Sequence, residues 1–414
     1  MKIDIGTVKG FQDYLPPESL KRAKIREIVG KWFKRYGFVW IETPIIEYDE
    51  LMKGDTLPAE GEDSAVSERF RLQDRGKRNL GLRYEFTFQL ARLFRENPNL
   101  KLPFKRFQIG DVFRDEPIRT GRTRQFTQCD VDIVGDGSVN ADAECIAVVV
   151  DILKELKIKD YEIQVNNRKL LQSIIESVQI TRVKDVMREL DKLEKLGVDE
   201  VRMNLKKFAD ANQIITMFKI LEKDLAFFKK NAFPGADELE DLIEVCKAYG
   251  IKIKVNPGMI RGFSYYTGNV FEFVTPKKAT VIGGGRYDDS IGKYIGRTVP
   301  AVGISFSLEA LMGLYKEKFD EMKIESIPKA LIISLNQDLA AIKLAGKIRK
   351  SGVSCGIDLR KPGKALEYAN SLGIPWVVFL GEEEAGKKKY KLKNMETGKE
   401  DLVGEAVLVK KLGK

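Results

Sequence analysis

The sequence predicts an α+β protein. Helices flank an antiparallel sheet, a helical segment interrupts that sheet, and a smaller α/β domain follows. Three observations support this prediction. The chain has 414 residues, more than a single hydrophobic core usually organises. Alternating apolar and polar residues recur on both sides of a lysine- and glutamate-rich helical stretch. From about residue 327, apolar strands alternate with helices, which is typical of an open α/β domain.

The N-terminal part is predicted to contain a long helix, a proline-broken pair of strands and a group of shorter strands. Residues 18–36 carry apolar side chains at helical spacing, and Gly37 follows as a helix-ending residue. The segment GFVWIETPIIEY has the pattern of a strand, a proline break and a second strand. Short strands with one helix, TFQLARLFREN, occupy about 70–135, before a helix at 139–157 and the strand YEIQVNN.

Residues 168–250 have a different character. They are rich in lysine and glutamate, carry leucine and isoleucine at helical spacing, and contain few strand signals. Strand-like sequence resumes at IKIKVNP, GNVFEFV and ATVIGGGRYDD, and TVPAVGISFSLEALMGLYKE predicts a strand that enters a helix. We therefore expect a first domain at 1–326, interrupted by a helical insertion at 168–250, and an α/β domain at 327–414.

Composition limits the classes of function. Apolar residues make up 43% of the chain and charged residues 32%, which is typical of a globular protein. The N-terminus lacks a signal-like apolar region and no apolar stretch has bilayer length, so we expect a cytoplasmic protein without membrane contact. The four cysteines form no CxxC pair and predict neither a disulfide framework nor a zinc site. The net charge of +10 favours polyanionic partners, although lysine-rich solvated helices would produce the same total.

The chain contains no histidine. Histidine is the usual general base and a common metal ligand, so its absence excludes histidine-based triads and histidine-ligated metal catalysis. Any chemistry must therefore depend on arginine, lysine, aspartate, glutamate, tyrosine or the substrate's own groups.

Two arginine-containing segments indicate a site for an anionic ligand. In RGFSYYTG, Arg261 precedes Tyr265 and Tyr266 at the mouth of a predicted strand. A guanidinium beside rigid phenols suits a ligand that is anionic at one end and polar-aromatic at the other. The same pattern is also typical of a strand end with packed tyrosines. A second segment, 105–135, contains a loop with four arginines suited to forked phosphate contacts, namely Arg114, Arg119, Arg122 and Arg124.

In the strand after this loop, the side chains that point to opposite faces also differ in chemistry. Period-2 geometry places Thr127, Cys129, Val131 and Ile133 on a face that resembles a core. The opposite face carries an aromatic ring, an amide and two carboxylates, from Phe126, Gln128, Asp130 and Asp132. We expect this second face to form the floor of a pocket.

Two further segments are weaker signals. In LRYEFTFQLAR, strand geometry would place Glu85 and Thr87 on one face, where they could hold an ammonium group or remain ordinary surface residues. In VIGGGRYDD, three glycines allow a close approach of the backbone to a ligand or a sharp turn. This segment matches neither the P-loop nor the GxGxxG fingerprint, so neither kind of nucleotide site is predicted.

Taken together, these segments resemble the histidyl-tRNA synthetases, a family of class II aminoacyl-tRNA synthetases, along essentially the whole chain. KGFQDYLP resembles the family's N-terminal signature, and GFVWIETPIIE resembles motif 1, which forms the family's dimer interface. FRDEPIRTGRTRQF resembles motif 2 and GISFSLEAL resembles motif 3. RGFSYYTGNVFEF and GGGRYD resemble the two segments peculiar to the histidine-specific branch. The resemblance implies the class II catalytic core followed by an anticodon-binding domain.

The resemblance also implies roles for individual residues. Arg114 would grip the α-phosphate of ATP, Phe126 would stack on adenine, and Glu116 would contact the adenine amino group. Arg122 would lie near the outer phosphates, and Arg261 would bind the substrate carboxylate and the α-phosphate. The remaining residues would hold L-histidine: Glu85, Thr87 and Gln128 at the α-ammonium, Asp132 and Tyr266 around the imidazole, and Tyr265 and Tyr287 lining the pocket.

The implied reaction is the ligation of L-histidine to tRNA(His) through histidyl-adenylate. Arginines and Mg²⁺ would stabilise the phosphoryl charge, and no protein general base would be needed. The implied partners are ATP, histidine, tRNA(His) and a second copy of the chain in a homodimer. Because plain alternation places Tyr265 and Tyr266 on opposite faces, we expect Arg261 to precede the regular strand or Gly262 to mark a bulge.

The sequence departs from the family pattern in motif 3, where Ala310 stands at a position that usually carries an arginine. Three outcomes remain open at this stage. The loop arginines could take over the role of the missing one in binding ATP. Alternatively, the chain could be an inactive, histidine-sensing regulatory subunit of ATP phosphoribosyltransferase. A non-catalytic tRNA-binding factor would also tolerate Ala310, but it would not need Glu85, Gln128 and Tyr266 together. The presence of Arg114, Arg261 and the predicted C-terminal domain favours the enzyme.

Overall fold

The structure is a computed structural model that describes residues 5–53, 68–118, 123–260, 266–276, 279–322 and 328–413. The strands of these residues are β1 Val39–Trp40, β2 Ile46–Tyr48, β3 Arg71–Gln73, β4 Asn79–Leu82, β5 Phe104–Phe113, β6 Gln125–Val134, β7 Glu162–Asn167, β8 Lys254–Val255, β9 Asn269–Val274, β10 Thr280–Arg286, β11 Ala301–Ser307, β12 Ala330–Ser334, β13 Cys355–Asp358, β14 Trp376–Leu380, β15 Lys389–Asn394 and β16 Glu400–Gly404. The chain divides into two compact units, Met1–Met322 and Lys323–Lys414. The predicted boundary between 326 and 327 falls outside the described residues.

The helices agree with the periodicity of the sequence. Those of the first unit are Glu18–Arg35, Asp49–Lys53, Thr87–Glu96, Val139–Glu155, Arg168–Ser177, Val183–Leu190, Leu193–Leu196, Val198–Leu205, Ala211–Leu221, Leu225–Lys230, Ala236–Ala248, Asp288–Ile295, Leu308–Leu314 and Lys316–Asp320. Those of the second unit are Asp338–Lys350, Pro362–Ser371, Glu382–Lys387 and Glu405–Leu412. None of the helices in the described ranges is both long and apolar enough to cross a membrane.

An eight-stranded sheet forms the centre of the first unit, in the order β1-β5-β6-β11-β10-β9-β7-β8. The six central strands are antiparallel to their neighbours, and β1 and β8 add to the edges in parallel. One face of the sheet packs against the helices Glu18–Arg35 and Val139–Glu155 in a large apolar core. The second of these helices is buried along most of its length, which its near-continuous apolar sequence explains.

The opposite face of the sheet is partly covered by a smaller apolar cluster. This cluster includes Leu90 and Phe94 from one helix, Ile291 from another, and the rings of Tyr266 and Tyr287. The helices Thr87–Glu96 and Asp288–Ile295 pack against each other here. The polar residues of the predicted pocket lie on this side of the sheet.

Seven short helices fill the predicted insertion, from Arg168–Ser177 to Ala236–Ala248. They share apolar contacts through buried residues such as Val186, Val201 and Met217, in the core that continues from the large sheet. Asp210 starts one helix by accepting hydrogen bonds from two backbone amides, and Gln213 completes the capping box. The segment is therefore helical as predicted, while its treatment as a separate insertion stays a prediction.

The second unit has a five-stranded sheet in the order β13-β12-β14-β15-β16. β12 pairs in parallel with β13 and β14, as the alternation of strands and helices predicts. Along β12, Ile332 packs into an apolar cluster on one face and Ile333 into a cluster on the other. The antiparallel pair β15 and β16 was not predicted, since its first strand reads as a short basic run in the sequence.

Candidate functional site

Three neighbouring strands form a polar floor on the less covered face of the large sheet. The register places Gln128, Asp130 and Asp132 of β6 on this face, and it sets Asp132 opposite Arg106 of β5 and Gly303 of β11. On the other face of β6, Cys129, Val131 and Ile133 belong to the large core as predicted. Thr127, expected on the same face, is buried but accepts hydrogen bonds from Arg22 and Arg26, so the core face becomes polar at this end of the strand. The predicted division of β6 into a core face and a polar face is therefore confirmed for residues 128–133.

Asp132 stands at the centre of the floor and is nearly completely buried. The Tyr287 hydroxyl donates a hydrogen bond to its Oδ1. Its Oδ2 forms an ion pair with Nη2 of Arg106 at 2.6 Å. Burial raises the pKa of Asp132, whereas the Arg106 charge and the tyrosine hydrogen bond act to lower it. Burial also raises the pKa of Tyr287 well above its usual range, so this hydroxyl remains a donor at neutral pH.

Two glycines leave room for these side chains. A Cβ at Gly303 would lie 2.1 Å from Oδ1 of Asp132, which would displace the carboxylate. A Cβ at Gly285 would lie 2.8 Å from Cδ1 of Tyr266. The glycines of GGGRYD and GISF therefore bring the backbone close to the pocket side chains. The close approach to a ligand expected for the first segment stays a prediction.

Asp130, two residues before Asp132 on β6, is the second buried carboxylate of the floor. Nε2 of Gln128 donates to its Oδ2 at 2.9 Å. Burial, with a smaller contribution from Asp132, raises the pKa of Asp130 to about 6, against the opposing charge of Arg106. Among the described residues, the floor thus carries two buried carboxylates next to one buried guanidinium, an arrangement that suits cationic or N–H-donating groups.

Beside this floor, Arg114 and Phe126 lie together. The guanidinium of Arg114 is 5.0 Å from the centre of the Phe126 ring and 4.3 Å from that of Tyr84. Its Nε donates to the carbonyl of Tyr84 at 3.4 Å. The half-buried Glu116 follows on the same loop, and its carbonyl accepts from Nε of Arg124 at 3.2 Å. A fixed cation beside an aromatic face is an arrangement that suits a nucleotide.

The comparisons with known proteins agree with this geometry. A family model described as histidyl-tRNA synthetase matches residues 10–311, and an anticodon-binding-domain model matches residues 329–414. Histidine–tRNA ligase 1 of Bacillus cereus is 39% identical over 96% of this chain and 95% of its own. Histidine–tRNA ligase of Helicobacter pylori is 34% identical over 94% of both chains.

The chain belongs to the histidyl-tRNA synthetase family. Among solved structures, histidyl-tRNA synthetase from Nostoc sp. PCC 7120 superposes with a TM-score of 0.86 and 26% identity, covering 100% of this chain and 99% of its own. A structure described as an ATP phosphoribosyltransferase regulatory subunit/histidyl-tRNA synthetase from Bacillus halodurans has 21% identity and a TM-score of 0.74, covering 90% of this chain and 97% of its own. At that identity the second likeness concerns the fold alone. The chain is therefore a class II aminoacyl-tRNA synthetase, a histidine–tRNA ligase.

One prediction about the histidyl-tRNA synthetase site is wrong. Glu85 and Thr87 were expected to share a face in strand geometry, but Thr87 is the first residue of the helix Thr87–Glu96. Glu85 precedes this helix and is buried, whereas Thr87 is half-buried. The two side chains therefore flank the start of a helix, where backbone N–H groups also point outward.

Several predicted site residues lie outside the described residues. These are Arg119, Arg122, Arg261 and Tyr265, together with the bulge expected at Gly262. Tyr266 is described, and its buried ring joins the apolar cluster with Tyr287. It precedes β9, and the amide of Thr267 donates to the carbonyl of Arg286 at 2.7 Å.

Sequence reasoning missed Arg106, which has no exposed surface. In the alternating run KRFQIGDVF it shares a face with Gln108, and a charged residue within a predicted strand was the available signal. The pairing with Asp132 depends on the register of the β5–β6 hairpin, which the local pattern does not encode.

Proposed function

We propose that the chain ligates L-histidine to tRNA(His) in two steps, with histidyl-adenylate as the intermediate. The observation that carries this proposal is the adjacency of the Asp132–Tyr287 floor and the Arg114–Phe126 pair on one face of one sheet. The floor suits the N–H groups of an imidazole. The Arg114–Phe126 pair suits a phosphate and a purine ring. Histidine and ATP would therefore meet where the two halves join.

The first step requires the histidine carboxylate to attack the α-phosphate of ATP. Arg114 would stabilise the charge on the α-phosphate from one side, and Arg261 would do so while holding the carboxylate. Phe126 would stack on adenine, Glu116 would contact the adenine amino group, and Arg122 would lie near the outer phosphates. The attacking group is already an anion, so this step needs no protein base.

The histidine pocket would combine the floor with residues near its rim. Asp132 would accept a hydrogen bond from the imidazole, and Tyr266 would lie on its other side. The α-ammonium would be held by Glu85, Thr87 and Gln128. Tyr265 and Tyr287 would line the pocket. In the second step an oxygen of the adenylate phosphate could accept the proton from the tRNA ribose hydroxyl, which again requires no protein base.

We expect Mg²⁺ to accompany ATP. In the described residues no group of three or more histidine, cysteine, aspartate or glutamate side chains could hold a metal ion. Mg²⁺ commonly binds through substrate phosphates and only one or two carboxylates, so binding of the ion together with ATP does not require such a group. The ion would add positive charge next to the phosphate oxygens.

The second unit would bind the anticodon of the tRNA, in keeping with its family model. The guanidinium of Arg360 lies 4.8 Å from the ring of Tyr368, which is 41% exposed. Both residues lie beyond the carboxyl end of β13 and could stack against unpaired bases. Lysine and arginine contacts to phosphates would make the affinity strongly dependent on salt.

A homodimer is the assembly that we propose. About half of the surface of Val39, Trp40, Ile46 and Tyr48 is exposed; the first three belong to the segment that resembles motif 1, and Tyr48 directly follows it. Such apolar exposure on two strands that are consecutive in the chain supports an interface between copies of the chain. Sedimentation should give the mass of two chains for the wild type and of one chain for Trp40→Glu. A single-chain mass for the wild type would contradict the proposal.

The decisive experiment is ATP–pyrophosphate exchange measured with each of the twenty amino acids over a wide range of ATP. Exchange with histidine alone would support the proposal and show that the site functions with Ala310. If histidine bound without any exchange, the regulatory-subunit function would be the better explanation.

A further inference from the structure

Arg106 is the largest completely buried side chain among the described residues. It is the third residue of β5 and faces Asp132 across the β5–β6 ladder. None of the roles given to the site above uses it. A buried arginine in the floor of a substrate pocket therefore needs a separate explanation.

The charges of the described residues on the floor do not balance. Asp130 and Asp132 are each 3% exposed, and Arg106 is the cation that acts on both of them within the described part of the chain. Gln128 donates to Asp130, and Tyr287 donates to Asp132. With both carboxylates ionised, the floor carries one uncompensated negative charge. Such a site favours a ligand that supplies positive charge or N–H donors.

The contacts of Arg106 are unusual for a buried guanidinium. Its Nη2 lies 2.6 Å from Oδ2 of Asp132. However, Nε, Nη1 and Nη2 have no hydrogen-bond partner of good angular geometry among the described residues. Purely structural arginines usually satisfy most of their five donors. Arg286 in the same unit does so, donating to Asp142, Asp288 and two backbone carbonyls.

We propose that Arg106 is a positioning residue for histidine selection: it keeps Asp132 ionised and fixed, so that the carboxylate accepts the imidazole N–H. This inference rests on the proposed function. Arg106 itself does not touch the substrate in this arrangement. It acts through Asp132, whose second oxygen is held by the Tyr287 hydroxyl. The pocket then recognises a neutral imidazole by its N–H donor rather than by its shape alone.

The groups that face Asp132 determine how the arrangement responds to pH. In the described residues they are Arg106 from β5, Asp130 from β6 and Tyr287 after β10, while Gly303 of β11 contributes no side chain. Burial and, to a smaller extent, the Asp132 charge raise the pKa of Cys145 in the helix Val139–Glu155. Arg106 is the one cation in this set. Removing it should raise the pKa of Asp132 further, so that a larger fraction of the carboxyl is protonated at neutral pH and this fraction falls as the pH increases.

The test compares the wild type with Arg106→Met and Arg106→Lys. The Michaelis constant for histidine is measured by ATP–pyrophosphate exchange from pH 7 to pH 9, and the histidine dissociation constant by calorimetry without ATP. For Arg106→Met we expect a Michaelis constant about tenfold or more above wild type at pH 7, falling towards it at pH 9, with kcat within about threefold. Arg106→Lys keeps the charge and should keep the wild-type pH profile. Free histidine titrates in the same way in the experiments on every variant, so its own protonation does not contribute to the differences between variants at a given pH.

A matched control removes a buried arginine elsewhere. Arg69 is ion-paired with Asp49 and is not one of the groups that act on Asp132, so Arg69→Met should leave the pH dependence of histidine binding unchanged. If Arg106→Met does not fold, Arg106→Gln keeps polar atoms without the charge and carries the same expectation. A Michaelis constant within twofold of wild type at every pH would overturn the inference, as would a lysine variant that behaves like the methionine one. Absence of histidine-dependent exchange in the wild type would instead contradict the proposed function.

Discussion

The two faces of β6 are buried to a similar extent but differ in chemistry. Cys129 and Val131 on the core face have no exposed surface, and Asp130 and Asp132 on the other face are each 3% exposed. Burying the first pair contributes to stability through the hydrophobic effect. Burying the second pair costs free energy, because the carboxylates lose their hydrogen bonds to water and contacts with protein groups compensate only part of that loss. Under the proposed function, stability and substrate binding would therefore depend on alternate residues of the same strand.

The largest effect is expected at the nucleotide end of the polar face. Arg114→Ala should lower kcat/KM for histidine-dependent exchange by about 1000-fold, since one charge that stabilises the transition state is lost. The free energy of unfolding should change little, because among the described residues the guanidinium makes one long hydrogen bond and ring contacts. Arg95→Ala, at an exposed position on a nearby helix, is the matched control. A loss of less than tenfold at Arg114 would contradict its assignment.

The core face should respond in the opposite way. Ile133→Ala removes methyl groups from a side chain that is 1% exposed and should lower the free energy of unfolding by about 3 kcal/mol. Urea denaturation measures this change, and Ile133→Val should cost about 1 kcal/mol. The Michaelis constant for histidine should stay within twofold in both variants. A change in this constant that grows with the loss of stability would show that the two faces are not independent.

The titration of Asp130 allows the free-energy cost of burying a carboxylate on the polar face to be measured as a function of pH. Its pKa is about 6 in the folded protein, against 3.8 for an ordinary solvated aspartate, so between these values the folded protein holds a proton that the unfolded chain has released. The associated stability is present below pH 4 and is lost as the pH rises through 6. Asp130→Asn cannot ionise, so its stability relative to wild type should increase over this range, by at most about 3 kcal/mol. Urea denaturation at pH 4.5 and pH 7.5 gives the difference.

Asp142 serves as the internal reference for that experiment. Burial also raises its pKa to about 6, and it is paired with Arg286 rather than placed on the β6 floor. Its contribution to the pH dependence is common to the wild type and Asp130→Asn and therefore cancels in the difference. An equal difference in stability at both pH values would show that Asp130 is not the group that titrates.

The contrast between the faces also explains what could be predicted from the sequence. Strict alternation in QFTQCDVDIV assigned each residue of β6 to the correct face, because the period of a strand is fixed by backbone geometry. The partner of Asp132 could not be found in this way. Arg106 is brought opposite by the register of a hairpin whose connection is a long loop, and loop length and turn geometry set that register.

The error at Thr87 has a different cause. The helix Thr87–Glu96 begins without the usual signal, since Phe86 occupies the N-cap and no side chain caps the first amides. In the second unit, by contrast, the signal for β15 was present. Tyr390 and Leu392 are buried and alternate with the exposed Lys389 and Lys391, so the basic run contains the period-2 pattern of a strand.

The smallest effect concerns the hydrogen bond between Tyr287 and Asp132. Tyr287→Phe removes the donor and leaves the buried ring in the apolar cluster with Tyr266. The Michaelis constant for histidine should rise about tenfold, corresponding to about 1.4 kcal/mol, because Asp132 keeps the Arg106 charge but loses its second anchor. Tyr315→Phe is the control, since its hydroxyl donates to the backbone carbonyl of Asp160 away from the floor. If Tyr287→Phe left the Michaelis constant unchanged while Arg106→Met raised it, the arginine alone would hold the carboxylate. An unchanged constant in both variants would mean that the polar face of β6 does not position the imidazole.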